Sequence, residues 1–184
     1  MPEKPEILKR NQITSSRLFR VEQVDLRFSN GEERQYERLC AGSMVPVIVV
    51  PVLDKDTVLL IREYGVGVEG YELGLPKGRV EPGESLVDGA NRELKEEIGY
   101  GARTLTLLKC MTQSPNYMQH KTQIVLAQGL YEERLEGDEP EPLEVVPIKF
   151  SELNTWIARD DLTEARSIAA LFLAQQYLNN QPTG

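Results

Sequence analysis

An α/β sandwich with a mixed sheet and an N-terminal β-strand appendage is the fold this sequence predicts. Three observations carry the expectation. Short β-rich runs fill the chain as far as Leu75, a helical stripe follows at Leu86, Ala90, Leu94 and Ile98, and further strand-like runs lead to a second helical stripe near the C-terminus. Strands, a helix, strands and then helices suit one layered core rather than an all-helical or all-strand domain.

Across residues 17–28 apolar side chains recur near period two, at Phe19, Val21, Val24, Leu26 and Phe28, with one slip that predicts a bulge or bend. Ser29-Asn30-Gly31 then predicts a tight turn into a polar strand over 32–39, a hairpin with little core of its own. Residues 45–53 and 57–62, joined by Asp54-Lys55-Asp56, read as buried strands, and 71–75 as a further short strand. A glycine-rich loop leads to the helix, which Ser85 is placed to cap and Gly99 to end. Strands are expected over 104–110, 123–130 and 145–150. Ser151 is placed to cap a short helix, and 163–178 forms a helix with one buried face. The division that follows is 1–42 as the appendage and 43–184 as the main domain.

The 184 residues are enough for a core without disulfides or structural metal, and a net charge of -8 argues against a nucleic-acid partner, which would need clustered Lys and Arg. An anionic ligand would need a local cation, and a metal ion is the natural one. Cys40 and Cys110 have neither disulfide-framework nor zinc spacing and read as buried free thiols. The longest apolar run, 44–53, is about half the length that spans a bilayer, and residues 1–10 lack the apolar core of a signal peptide. The expectation is a soluble cytoplasmic protein with no membrane partner.

On the predicted helix, Glu93 and Glu97 stand four apart and Glu96 three from Glu93, so like charges share one face. Arg92 is placed to pair with Glu96 and Glu84, yet no basic residue lies three or four positions from Glu93 or Glu97. A solvated acidic face is the ordinary reading of any single Glu-Glu pair. The arrangement becomes favourable when a hard cation sits between the oxygens.

The pair belongs to a fixed frame: Gly78, then Glu84, Arg92-Glu93-Leu94, Glu96-Glu97 and Gly99. That frame resembles the box of the Nudix hydrolases, Gly-x5-Glu-x7-Arg-Glu-aliphatic-x-Glu-Glu-x-Gly-aliphatic, at every defined position but the last, where Tyr100 stands at a packing position. So many specified positions at fixed spacing make a chance match very rare. The likeness extends to the ADP-ribose pyrophosphatase-like members that act on ADP compounds, through Ser16-Arg17-Leu18-Phe19, Tyr36-Glu37-Arg38, Ile61-Arg62-Glu63-Tyr64, Pro115 and the acidic run Asp138-Glu139-Pro140-Glu141.

The resemblance implies a Nudix α/β/α sandwich that cleaves the pyrophosphate linkage of ADP-linked compounds with Mg²⁺, or with Mn²⁺ or another divalent cation in its place. It assigns the metal to Glu93, Glu97, Glu141 and the backbone carbonyl of Lys77. It assigns catalysis to Glu139 as general base, with Glu96 and Arg92. Gly78 would let the loop approach the metal, while Glu84 and Gly99 order the frame. Substrate contacts fall to Arg38, Arg62, Pro115 and Phe19, because Gly65 stands where similar pyrophosphatases carry an arginine. The N-terminal strands would make a homodimer. Two rivals share the fold: a non-catalytic nucleotide sensor, which would not need the carboxylates, and an enzyme cleansing nucleoside triphosphates, against which Pro115 and the appendage count.

Overall fold

The polar N-terminal segment folds by backbone pairing rather than by burial. In the computed structural model, which describes residues 3–181, the chain up to Ser43 joins Met111–Thr122 in one unit. There β1 (Glu6–Ser15), β2 (Arg20–Arg27) and β3 (Glu33–Leu39) form an antiparallel sheet in that order. β2 meets β3 in unbroken register from Val21 opposite Leu39 to Arg27 opposite Glu33, so the expected slip is not in this strand. The register shifts lie in the β1–β2 pairing, where Leu8 and Ile13 are the residues passed over. β1 itself went unanticipated, because Lys9, Arg10, Asn11 and Gln12 leave it without an apolar face. The turn is as expected: the Gly31 N–H donates to the Phe28 carbonyl at 2.9 Å, with Gly31 at a φ of +86°. Among the described residues of this sheet only Val24 is buried.

The other unit, Met44–Cys110 with the chain from Gln123 onward, holds β4 (Val45–Pro51), β5 (Thr57–Gly65), β6 (Gly70–Gly74), β7 (Lys77–Val80), β10 (Glu144–Lys149) and most of β8 (Tyr100–Thr112) and β9 (Lys121–Glu132). One sheet is antiparallel in the order β10-β5-β6. The second runs β7-β4-β9-β8 and is mixed, since β4 is antiparallel to β7 and parallel to β9. Alternation along β4 feeds two layers. Val47 and Val49 join Leu59, Ile61, Val125 and the α1 (Leu86–Glu97) residues Ala90 and Leu94 in one cluster. Ile48 and Val50, also buried, face the other way, and α3 (Ala165–Asn179) packs on β4 as α1 does. Each fully buried leucine or isoleucine contributes about 1.5–3 kcal/mol.

The helix signals were legible. The Ser85 hydroxyl accepts the Asp88 N–H at 3.1 Å, and Gly99, at a φ of +74°, follows the helix end. Ser151, however, is no cap: Glu152 precedes α2 (Leu153–Trp156), and the Ser151 hydroxyl donates to Asp56 at 2.7 Å. α3 starts two residues later than expected, because the Glu164 carboxylate accepts the Ser167 N–H at 2.7 Å and serves as its cap. The stretch read as a glycine-rich loop contains the edge strand β7, which has too few apolar residues to announce itself. Neither cysteine is buried: Cys40 is half-buried and Cys110 exposed, both free. Among the described residues no helix is long and apolar enough to cross a membrane.

Candidate active site

β7 is the last strand of its sheet, so its outward amides have no neighbouring strand to receive them. The helix supplies the acceptors. Two residues of strand advance about 6.6 Å and four of helix about 6 Å, so carboxylates at i and i+4 can meet amides at i and i+2. The Arg79 N–H donates to Glu93 Oε1 at 3.0 Å and the Lys77 N–H to Glu97 Oε2 at 2.8 Å. Both carboxylates are thereby fixed and almost fully buried, at 8% and 5% exposure. Between the two amides sits Gly78, where any Cβ would collide with the Glu93 carboxylate.

Arg92 binds the frame together. Its guanidinium donates to Glu84 at 2.9 Å, to Glu96 at 2.7 Å and to the Arg79 carbonyl at 2.8 Å, and lies 3.0 Å from Glu93. Glu84 also accepts the Glu81 N–H at 2.8 Å, and with Arg92 this holds its carboxyl below the ordinary range. These contacts raise the Arg92 pKa, so its charge is permanent. Burial works against the charged forms of Glu93 and Glu97. Desolvation raises the pKa of Glu93, opposed by the Arg79 N–H and by Arg92. Glu97 is pushed up to about 8, chiefly by burial, with Lys77 pulling the other way and Glu93 and Glu63 adding repulsion.

These groups face a cleft of about 720 Å³, also lined by Glu63, Arg79, Glu81 and the loop residues Glu136, Gly137, Asp138, Glu139 and Pro140. The loop is tied at its start, the Glu133 N–H donating to the Gly99 carbonyl at 3.0 Å and the Leu135 N–H to that of Lys95 at 3.1 Å. Glu139 folds back over Gly137, where a Cβ would strike its carboxylate and come within 3.6 Å of Glu96 Cβ.

Does the site suit a divalent cation? Glu93 Oε2 and Glu97 Oε1 have no partner among the described residues, yet neither is shut away from solvent. Two buried carboxylates that line an open cleft, each with one uncommitted oxygen, are the hard-oxygen donors that Mg²⁺ takes. Among the described residues no three acidic, imidazole or thiol groups form a ready-made cage, which fits an ion completed by backbone carbonyl and water.

The structure does not gather every expected residue here. Glu141 accepts the Tyr71 hydroxyl at 2.6 Å and is absent from the cleft lining, the side chain being drawn to Tyr71 instead. Arg62 is spent on Glu144 at 2.8 Å and Asp161 at 3.1 Å, a strap across the antiparallel sheet. Phe19 lies 53% exposed in the turn before β2. Arg38 and Pro115, by contrast, line one hollow of the N-terminal unit together with Phe28, Tyr36 and Met118. Sequence reasoning passed over Arg79 and Glu63, since one hid in an unspecified position of the box and the other in a strand valued for its arginine.

A buried i,i+4 carboxylate pair on a helix, held by the amides of an edge strand and braced by a glutamate-bound arginine, defines a class. Residues 42–176 match the model of the NUDIX domain, and the chain belongs to the Nudix hydrolase family, whose members generally require a divalent cation. Residues 5–38 match the NudE-type Nudix hydrolase N-terminal domain. The chain is 50% identical to the ADP compounds hydrolase NudE of Escherichia coli (strain K12), over 97% of this chain and 96% of that protein. It is 27% identical to an ADP-ribose pyrophosphatase of Bacillus subtilis (strain 168), over 93% and 90%. A crystal structure of an ADP compounds hydrolase superposes with a TM-score of 0.92 at 48% identity, covering 100% of this chain and 99% of that one.

Proposed function

We propose that this enzyme hydrolyses the pyrophosphate linkage of ADP-linked compounds, ADP-X and water giving AMP and X-phosphate. The observation that carries the reading is the pairing of Glu93 and Glu97 with the Arg79 and Lys77 amides, which leaves one uncommitted oxygen on each of two carboxylates that line the cleft. Glu93, Glu97 and the Lys77 carbonyl would hold Mg²⁺, or Mn²⁺ in its place, and the bound cation would neutralise phosphate charge and acidify water. Arg92 holds Glu84, Glu93 and Glu96 in place, and a bound cation would favour the ionised carboxylates that burial disfavours. Glu139 takes the proton from the attacking water as its oxygen bonds to phosphorus and the bridging P–O bond breaks; Glu96 lies beside it.

We further propose a homodimer in which residues 1–42 supply the contact. Ile7, Leu8, Ile13 and Tyr36 are exposed on a sheet with almost no core and Leu18 in the turn before β2, and a two-fold partner would cover them. The experiment is product analysis with ADP-ribose, NADH, diadenosine triphosphate, GDP-mannose and an oxidised dGTP under one metal condition, with light scattering for mass. AMP from every adenine compound at higher kcat/KM than the other two, and a dimeric mass, are expected. Preference for GDP-mannose or the triphosphate would overturn the substrate reading, and an active monomer the assembly.

A further inference from the structure

A dianionic diphosphate entering a cleft crowded with carboxylates needs cations that are not already committed. Three basic side chains line it: Lys77, Arg79 and Arg92. Arg92 is committed to Glu84, Glu93 and Glu96. The Lys77 ammonium is ion-paired with Glu63. Arg79 differs from both. Its backbone is pinned on both sides, the N–H donating to Glu93 and the carbonyl accepting from Arg92 at 2.8 Å, while its exposed guanidinium has no partner among the described residues. A fixed mount with a free planar head, one strand residue from Gly78, is what bidentate capture of phosphoryl oxygens requires.

We propose that Arg79 is the residue that binds the non-bridging oxygens of the substrate diphosphate, and so sets the affinity for two adjacent phosphates. This rests on the proposed reading of the cleft. It also accounts for how the site works with Gly65 at one strand position and with Arg62 strapped to Glu144 and Asp161: the grip comes from inside the box instead. Because the guanidinium is exposed and unpaired, its removal should disturb neither the fold nor the Glu93 contact, which the Arg79 backbone makes.

The test compares wild type, R79Q and R79K with ADP-ribose at saturating Mg²⁺, and measures calorimetric binding of a non-cleavable methylene analogue of ADP-ribose. R79Q should lose affinity for the analogue and kcat/KM by about 30-fold, the scale of one charge-assisted contact, mostly through KM. R79K should recover part of the loss, since the charge returns without the fork. Wild-type KM should rise with ionic strength more steeply than that of R79Q. Melting temperature and the Mg²⁺ concentration for half activity should be unchanged. An active wild type with R79Q binding the analogue equally well, or a shifted metal requirement in R79Q, would overturn this inference alone. A wild type inactive on ADP-ribose would overturn the reading of the cleft beneath it.

Discussion

Replacing Glu97 by Gln should stabilise the metal-free protein while destroying its activity. The amide keeps the shape and can still accept the Lys77 N–H, now held at 2.8 Å. What it removes is a charge in a site where burial pushes the carboxyl from 4.5 to about 8. Below the ordinary carboxylate range, folded and unfolded chains both carry the proton and the group costs nothing. As pH rises towards about 8 the unfolded chain has released that proton and the folded chain keeps it, so stability falls through this window. The full cost at higher pH is about 5 kcal/mol as an upper bound, and about 3 kcal/mol remains at about pH 7. Lys77 loses some attraction in the variant but keeps Glu63, so a net gain of about 2 kcal/mol is expected, or about 4–8 °C in melting temperature for a chain of this length. The assay is thermal unfolding in a chelator at about pH 8, then with excess Mg²⁺. Wild type should gain about 2.7 kcal/mol at a hundredfold excess over Kd, and Glu97→Gln almost nothing, with turnover lower by orders of magnitude. A variant that melts at or below wild type in chelator would refute the desolvation argument. One that keeps near wild-type turnover would refute the metal site.

Gly78→Ala should fold with a loss of about 1 kcal/mol, because the Glu93 carboxylate can swing away from the new methyl, yet lose activity at least about a hundredfold as that carboxylate leaves the Arg79 amide. Melting and turnover measured together check both halves. Glu139→Gln should depress kcat with little change in metal requirement, whereas Glu141→Gln, whose carboxylate is engaged by Tyr71, should leave both near wild type; metal titrations of activity separate the two. Ser167→Ala should cost about 1–3 kcal/mol in chemical denaturation, since the buried hydroxyl accepts the Leu75 N–H at 3.0 Å and the variant removes that acceptor.

The parts that were legible in sequence are those written by period or by cap. Leu86, Ala90, Leu94 and Ile98 could be read as a stripe because a helix has to bury one face, and Ser85 and Gly99 because helix ends demand particular chemistry. The carboxylates could be read because four residues on a helix bring them to one side. Strands β1 and β7 could not, since one is exposed on both faces and the other consists of Lys77, Gly78, Arg79 and Val80. Pairing with β2 and β4 holds them, and a backbone ladder leaves no trace in side-chain alternation.

That blind spot explains which site residues were missed. Once β7 is a strand and not a loop, Lys77 and Arg79 share one edge and Gly78 points between them, so the box becomes a matching of two repeats, i to i+4 on α1 and i to i+2 on β7. The matching fixes the carboxylates through backbone amides, which any residue could provide, and so leaves the side chains at 77 and 79 free of that duty. Lys77 turns its ammonium to Glu63, and its charge is the main pull holding Glu97 below the value burial alone would give. Arg79 has no guanidinium partner among the described residues. On the proposed reading an unspecified position of the motif is functional in this chain: backbone amides of β7 fix Glu93 and Glu97, and the Arg79 side chain, released from that duty, is carried by the same strand to the substrate diphosphate.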